Sequence, residues 1–578
     1  MLTALLKARI RFARLFGFFD TNSIFLWAGA VGVAAAFTTI AFRDSISFIQ
    51  QILTGHSGSL VAMAKSLPWH MRLILPAAGG LVAGLLLSLA RRYSSGAASD
   101  YMEAIGIGDG RIPVRQTLLR SASSLGTIAT GGSIGREGSM VQLAALCASA
   151  LGRFMRFDTQ RLRLLVACGA AAGITSAYNT PLAGAFFITE IVLGSISMVS
   201  FGPVVVASVV ANMTMRAFPD YRPAYEMPEF PLISGSETLL FALMGAIAGL
   251  VAPQFLGLLD FSKRQFQKLP LPLPLRLALG GLLVGAVSIW VPQVWGNGYS
   301  VVNSMLHEPQ MWSAVLIVLL AKIVATALTT GSGAVGGVFT PTLFVGAALG
   351  WLFGSGVDIL FPGSASAPFA YAAIGMGAFL SATAYAPLMA ILMIFEMTLN
   401  YQAVLPLMLA CVVSYLVARS ISDRSMYEIT RKRNRDEQEW LRLRGLQMRD
   451  LIRPPETVLP LTASFAELTR MFFEHPVKYI YIVDEAQRFQ GVVALQDLAS
   501  VLSGKDETGS RRAADFLRRG HLHVLTPGMS LGEGLQLFMQ HQGERLPVVE
   551  SMEDPVLLGV VYKTALLDAC FQLSRPNQ

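Results

Sequence analysis

A guanidinium and a carboxylate stand side by side among four glycines in Gly131-Gly132-Ser133-Ile134-Gly135-Arg136-Glu137-Gly138-Ser139, inside a long apolar region. Charge at membrane depth is costly, and an ionisable residue retained there is a functional-site candidate. Glycine-rich irregular backbone is tolerated at that depth only where it is buried in protein or lines a cavity. Glycines also let successive backbone N–H groups turn towards one point. The apolar stretch from Met140 to Leu151 predicts a helix whose positive dipole end aims at the same point. Gly135, Arg136, Glu137 and Gly138 therefore read as an anion site. The competing use of the same residues is a surface loop with an exposed Arg-Glu pair.

The elements that would position such a site are membrane helices. Of 578 residues, 53% are hydrophobic and only 14% charged, and the mean hydropathy is +0.53. That composition belongs to an integral membrane protein. The net charge of +8 raises nucleic acid as a partner, but the basic residues cluster at the ends of apolar segments, where membrane orientation puts them. Residues 1–20 carry Lys7, Arg9, Arg11 and Arg14 in a basic amphipathic segment suited to the cytoplasmic membrane face, and no secretory signal is evident. Residues 24–43 and 72–90 are the first spanning candidates. With the N-terminus inside, Arg91-Arg92 and later basic groups obey the positive-inside rule. Cys147, Cys168, Cys411 and Cys570 sit singly in apolar surroundings and read as packing.

Several later apolar stretches, among them 140–152, 164–176, 181–194, 369–381 and 385–398, fall short of the roughly 20 residues a crossing helix needs. Short segments broken by Gly and Pro suggest half-helices meeting near the midplane, as in transporters with internal repeats. The repeat is directly legible. Ala177-Tyr178-Asn179-Thr180-Pro181-Leu182-Ala183-Gly184 leads to Glu190, and Thr383-Ala384-Tyr385-Ala386-Pro387-Leu388-Met389-Ala390 leads to Glu396, with both proline and glutamate offset by 206 residues. A glycine-rich turn precedes each, the second being Gly336-Gly337-Val338-Phe339-Thr340-Pro341. The halves run over about 70–215 and 238–420 of a membrane domain 1–430, with the substrate expected at their interface.

Beyond it, a charged connector (431–450) leads to a region of ordinary soluble composition with its own repeat, 451–505 and 512–575. Each copy reads as a helix, a strand (Tyr479 to Val483; Arg545 to Val549), a turn, a Gly-Val-Val strand and a last helix. Together they predict one cytoplasmic α/β domain.

With these motifs assembled, the chain resembles the CLC family of chloride channels and chloride/proton antiporters, in its bacterial, channel-like branch, with a C-terminal pair of CBS domains. Gly135-Arg136-Glu137-Gly138-Ser139 resembles the family's GREGP element with Ser139 for the proline, Gly337-Val338-Phe339-Thr340-Pro341 its GxFxP element, and Phe395 to Tyr401 a further family segment. The resemblance implies an α-helical membrane fold of about 18 helices, many re-entrant, in two inverted repeats. It also implies a homodimer in the bacterial inner (plasma) membrane, N-terminus and CBS pair cytoplasmic, with chloride as the transported ion and no required cofactor. Glu137 would be the gating glutamate, the N–H groups of Val338 and Phe339 would line a central anion site, and the hydroxyl of Tyr427 would donate to that anion. A carboxylate is itself an anion, so a site built for chloride holds it until protonation or a competing anion displaces it.

Two departures bear on mechanism. The family's GSGIP element has no clear counterpart; its best alignment, Ser95-Gly96-Ala97-Ala98-Ser99, puts Gly96 where the serine would be, which leaves the anion preference open. Proton-coupled members carry a glutamate where this chain has Ile191, so the proton relay is absent there and passive anion transport is expected, with chloride/proton antiport as the alternative. Glu190, beside it, reads as a structural carboxylate. An enzyme is not expected, because all seven histidines lie outside the apolar segments and no Walker A sequence is present. A reading from another class is a membrane-anchored adenine-nucleotide sensor. It needs ribose-binding acids in the CBS pair, where the first copy has Asp497 and the second has Thr564 at the matching position.

Overall fold

In the computed structural model, the described residues are 23–55, 58–93, 100–106, 108–194, 197–218, 223–228, 237–362, 366–427, 447–502, 511–520, 523–540 and 544–574. The basic N-terminal segment, Ser95 to Ser99 and nearly all of the 431–450 connector lie outside them. The chain divides into two compact units, Met1–Arg431 and Lys432–Gln578.

Among its described residues the first unit has 17 α-helices and no strand. Eight helices are long and apolar enough to cross a membrane, including Trp69–Arg92, Glu237–Lys268, Trp312–Gly331 and Phe339–Leu360. The remainder are shorter or more polar, as the broken apolar pattern suggests. Two segments expected to be short are longer than their apolar cores. Glu137–Phe154 runs 18 residues and Thr159–Tyr178 runs 20, because polar residues at their ends, such as the Glu137-Gly138-Ser139 start and Arg153 at the finish, suit the helix dipole while adding no hydropathy.

The 206-residue offset has a backbone meaning. Asn179 (φ 64°) and Tyr385 (φ 57°) both take the left-handed conformation that ends a helix. Thr180 and Ala386 follow as near-extended residues, as a residue before proline must be, and Pro181 and Pro387 open the next helices. The halves then exchange carboxylates. Glu190 accepts from the N–H groups of Leu388 (3.2 Å) and Met389 (2.7 Å), and Glu396 from those of Leu182 (2.9 Å) and Ala183 (2.8 Å). Each acid thus caps the opposite half's helix, matching the structural reading of Glu190. Symmetry fails one turn on: Pro181–Phe186 continues as a π-helical turn, Phe187–Leu193, whereas Pro387–Thr398 stays α-helical.

Close helix contact depends on small residues. A Cβ on Gly346 would lie 2.5 Å from the carbonyl oxygen of Gly375, and one on Gly375 would lie 2.5 Å from that of Gly346. Helices Phe339–Leu360 and Pro368–Ala384 therefore touch backbone to backbone.

The second unit contains the repeat read from sequence. Strands β1 (Val458–Pro460), β2 (Tyr479–Val483) and β3 (Phe489–Ala494) form one sheet, β1 parallel and β3 antiparallel to β2. Strands β4 (Arg545–Val549) and β5 (Leu557–Tyr562) form the other, and a parallel bridge from Leu525 to Val548 stands where β1 stands in the first. Both antiparallel pairs slip register at the same point, between Ile482 and Val483 and between Val548 and Val549. A Ser-x-x-Glu capping pair precedes a helix in each copy, Ser464 with Glu467 and Ser530 with Glu533.

Candidate functional site

Glu137 is the first residue of helix Glu137–Phe154, and Phe339 the first of Phe339–Leu360. Their preceding glycine loops are joined by a two-bond antiparallel bridge: the Gly135 N–H donates to the Gly337 carbonyl at 2.8 Å, and the Gly337 N–H to the Gly135 carbonyl at 3.0 Å. First-turn N–H groups have no acceptor within their own helix, so the bridge brings two positive helix ends together, one from each half. Gly135, Arg136, Glu137, Gly138, Val338 and Phe339 all fall at this junction. A Cβ on Gly135 would lie 2.2 Å from Glu137 Oε2 and 2.8 Å from the Gly337 oxygen, so only glycine fits beneath the carboxylate.

The Glu137 side chain is buried, with 3% exposure. Its Oε1 accepts from the Tyr299 hydroxyl at 2.6 Å, while its Oε2, also buried, has no protein partner. Tyr299 is itself enclosed. The Tyr225 ring meets it edge-on at 4.9 Å, the Arg136 guanidinium lies 5.3 Å from its ring centre, and Thr340 Oγ1, bonded to the Tyr178 hydroxyl at 2.9 Å, lies 3.4 Å from its oxygen. The acid is marked by its local glycine motif, whereas the members of this tyrosine cluster lie scattered along the chain with nothing local to mark them.

Two cavities draw lining residues from this junction. One of about 280 Å³ is lined by Arg136, Trp295, Asn297, Tyr299 and Asn303. The other, about 620 Å³, is lined by Gly138, Ser139, Val338 and Tyr427, with Arg91, Arg120, Lys263 and the unanticipated carboxylate of Asp100. Arg136 faces the first cavity, Gly138 the second, and Glu137 between them lines neither. Tyr427, the most distant of the residues singled out, does reach this site and packs its ring edge-on against Phe187 at 5.5 Å. One turn along from Phe187, Ile191 is 1% exposed and belongs to the same buried hydrophobic cluster as Phe187, Ile188 and Val192, and its side chain offers no group able to carry a proton. No group of three or more His, Cys, Asp or Glu residues arranged to hold a metal is found among the described residues.

A family model for voltage gated chloride channels matches residues 79–419, the span that contains Glu137 and both glycine loops. The chain belongs to that family. It is a membrane transport protein of a chloride-transporting family, not an enzyme. Tyr427 lies just past the matched span of the channel family, and the CBS domain model matches twice, at 448–504 and 513–571. A putative chloride channel protein ClcB-like of Ralstonia nicotianae is 55% identical over 415 residues, covering 71% of this chain and 97% of the relative. The voltage-gated ClC-type chloride channel ClcB of Escherichia coli is 40% identical over 410 residues, 70% of this chain and 97% of that protein. Both alignments are about as long as the membrane unit. Among solved structures, a slow cyanobacterial Cl-/H+ antiporter superposes with a TM-score of 0.63 at 24% identity, covering 71% of this chain and 97% of that one. A eukaryotic CLC transporter gives 0.59 at 15% identity, covering 94% and 97%. At these identities the likeness is one of fold.

In the second unit the acid singled out for a nucleotide is already engaged. The Arg518 guanidinium grips Asp497 with both arms, Nε to Oδ2 at 2.7 Å and Nη2 to Oδ1 at 2.5 Å. Arg518 is held in place by its backbone, which pairs with Val492 of β3. A ribose would have to compete with that fork for the carboxylate.

Proposed function

We propose that this protein conducts chloride, or another small anion, passively across the plasma membrane, with Glu137 as the gate. The observation that carries the reading is the placement of one buried carboxylate where two helix N-termini converge, with the residue before it lining one cavity and the residue after it lining another. Seated there, Glu137 takes the place of an anion. Neutralised or displaced, it leaves Gly135, Arg136, Gly138, Val338, Phe339 and Tyr427 to line a continuous path. The tyrosine hydroxyl and backbone N–H groups supply donors, and Arg91, Arg120 and Lys263 outnumber Asp100 and Asp260 in the lining of the larger cavity, which favours anions there. In this reading the protein acts as a homodimer, and the N-terminus and CBS pair lie in the cytoplasm, where the pair modulates flux.

Passive conduction is favoured over proton exchange by the inner route. A coupled proton needs titratable groups or waters in series, and position 191 presents isoleucine in an apolar shell. The neighbouring Glu190 is committed to the Leu388 and Met389 N–H groups. The test is the reversal potential of the reconstituted protein under a pH gradient at fixed chloride. It is expected to stay at the chloride equilibrium value; movement with the pH gradient, or uphill proton transport driven by chloride, would make the protein an antiporter.

For the CBS pair, Asp497 is the proposed contact to the ribose of an adenine nucleotide. Titration calorimetry of residues 445–578 with ATP or AMP is expected to give heat that Asp497→Ala abolishes and Arg518→Ala increases. No heat at millimolar nucleotide would reduce the pair to a packing and relay module.

A further inference from the structure

Lys322 lies within the spanning helix Trp312–Gly331, is 1% exposed, and has no acid paired with it among the described residues. Its Nζ donates instead to the carbonyl oxygens of Val294 (2.9 Å) and Gly296 (2.6 Å), and it lies 5.6 Å from the centre of the Phe344 ring. A buried ammonium costs several kcal/mol unless its surroundings use it, and the carbonyls it holds bracket the loop that leads into Tyr299. That loop turns through two left-handed glycines, Gly296 (φ 68°) and Gly298 (φ 95°), so its path depends on its anchors. Trp295, between the two carbonyls, packs on Gly131, where a Cβ would lie 2.4 Å from the indole. One and two turns further along the same helix face, Thr326 and Thr329 hold the other loop: Thr329 Oγ1 accepts from the Ser133 N–H at 3.2 Å, and Thr326 Oγ1 lies 3.2 Å from Ser133 Oγ.

We propose that Lys322, Thr326 and Thr329 form a positioning face that fixes the glycine loop bearing Glu137 and the loop bearing its partner Tyr299 relative to one another, with Lys322 governing how firmly the carboxylate is seated. The inference rests on Glu137 being the gate. The charged and titratable groups facing Glu137 are Arg136 on its own loop, Tyr178, Tyr225 and Tyr299 in the enclosing cluster, and Tyr427 towards the larger cavity. A hydroxyl donating to a carboxylate favours its charged, seated form. Freeing the loop at Lys322 weakens that bond.

The test is anion flux from liposomes as a function of external pH for the full chain, comparing wild type, Lys322→Met, Lys322→Gln, Tyr299→Phe, the Lys322→Met/Tyr299→Phe double variant and Glu137→Gln. Both Lys322 variants are expected to move the flux midpoint to higher pH by about one unit, the size expected for one lost hydrogen bond to a charged group. Tyr299→Phe should do the same, and the double variant should shift by less than the sum of the two. A wild-type midpoint in either folded Lys322 variant, or strictly additive shifts, would overturn the proposal. Lys322→Gln keeps an N–H donor and covers the case in which Met does not fold. If Glu137→Gln itself keeps a wild-type pH profile, the gate reading fails, which is distinct from a flat Glu137→Gln profile beside unshifted Lys322 variants.

Discussion

Replacing Glu137 by Gln is expected to raise anion flux at neutral pH and to flatten its dependence on external pH. Glutamine has the shape of the protonated acid but cannot become an anion, so it cannot compete with chloride for the junction of the two helix N-termini. A gate worked by one proton can change flux by at most about tenfold per pH unit; in the variant the change over the same range should fall to about twofold or less. Reconstituted flux at several external pH values is the measurement. A wild-type profile in Glu137→Gln would remove the carboxylate from the mechanism.

The second large effect comes from adding one methyl group beside the carboxylate while leaving it in place. In Gly135→Ala the new Cβ would stand 2.2 Å from Glu137 Oε2 and 2.8 Å from the Gly337 oxygen. The side chain is the movable member of that pair, and the bridged backbone the stiff one. Glu137 should therefore leave the junction although its acid is intact, and overpacking should cost about 1–3 kcal/mol of stability. The expected result is flux close to that of Glu137→Gln at neutral pH from a protein that melts at lower temperature. Wild-type flux and pH dependence in folded Gly135→Ala would mean that the carboxylate can find another seat without opening the path.

How much of this was legible beforehand follows from what each residue depends on. The glycine loops could be read because backbone shape is written locally: Gly135 to Ser139 and Gly336 to Pro341 announce their turns, and the Tyr178 to Pro181 and Ala384 to Pro387 segments carry their helix breaks with them. The C-terminal strands were legible for the same reason, since Tyr479 to Val483 and Arg545 to Val549 are short apolar runs bounded by turns. Helix length was less so, because the polar ends of Glu137–Phe154 and Thr159–Tyr178 lower hydropathy where the structure continues. The tyrosines were not legible. Tyr178, Tyr225 and Tyr299 gain their role only when three distant segments meet around one carboxylate. Lys322 was not singled out either, because its use depends on two carbonyls 26 and 28 residues away that only the folded loop presents. The Asp497 carboxylate was found without its competitor, since Arg518 lies 21 residues further on.

The exchanged carboxylates of Glu190 and Glu396 have a consequence for how the protein is made. Leu182 and Ala183 take their acceptor from a residue 214 and 213 positions later, which at a synthesis rate of about 5–20 residues per second is roughly 10–40 s of translation. Through that interval the first half sits in the membrane with an uncapped helix start and with Glu190 waiting for Leu388 and Met389. Neither pair of caps can form until the chain has been made past Glu396, so the order of synthesis delays the completion of both helix starts.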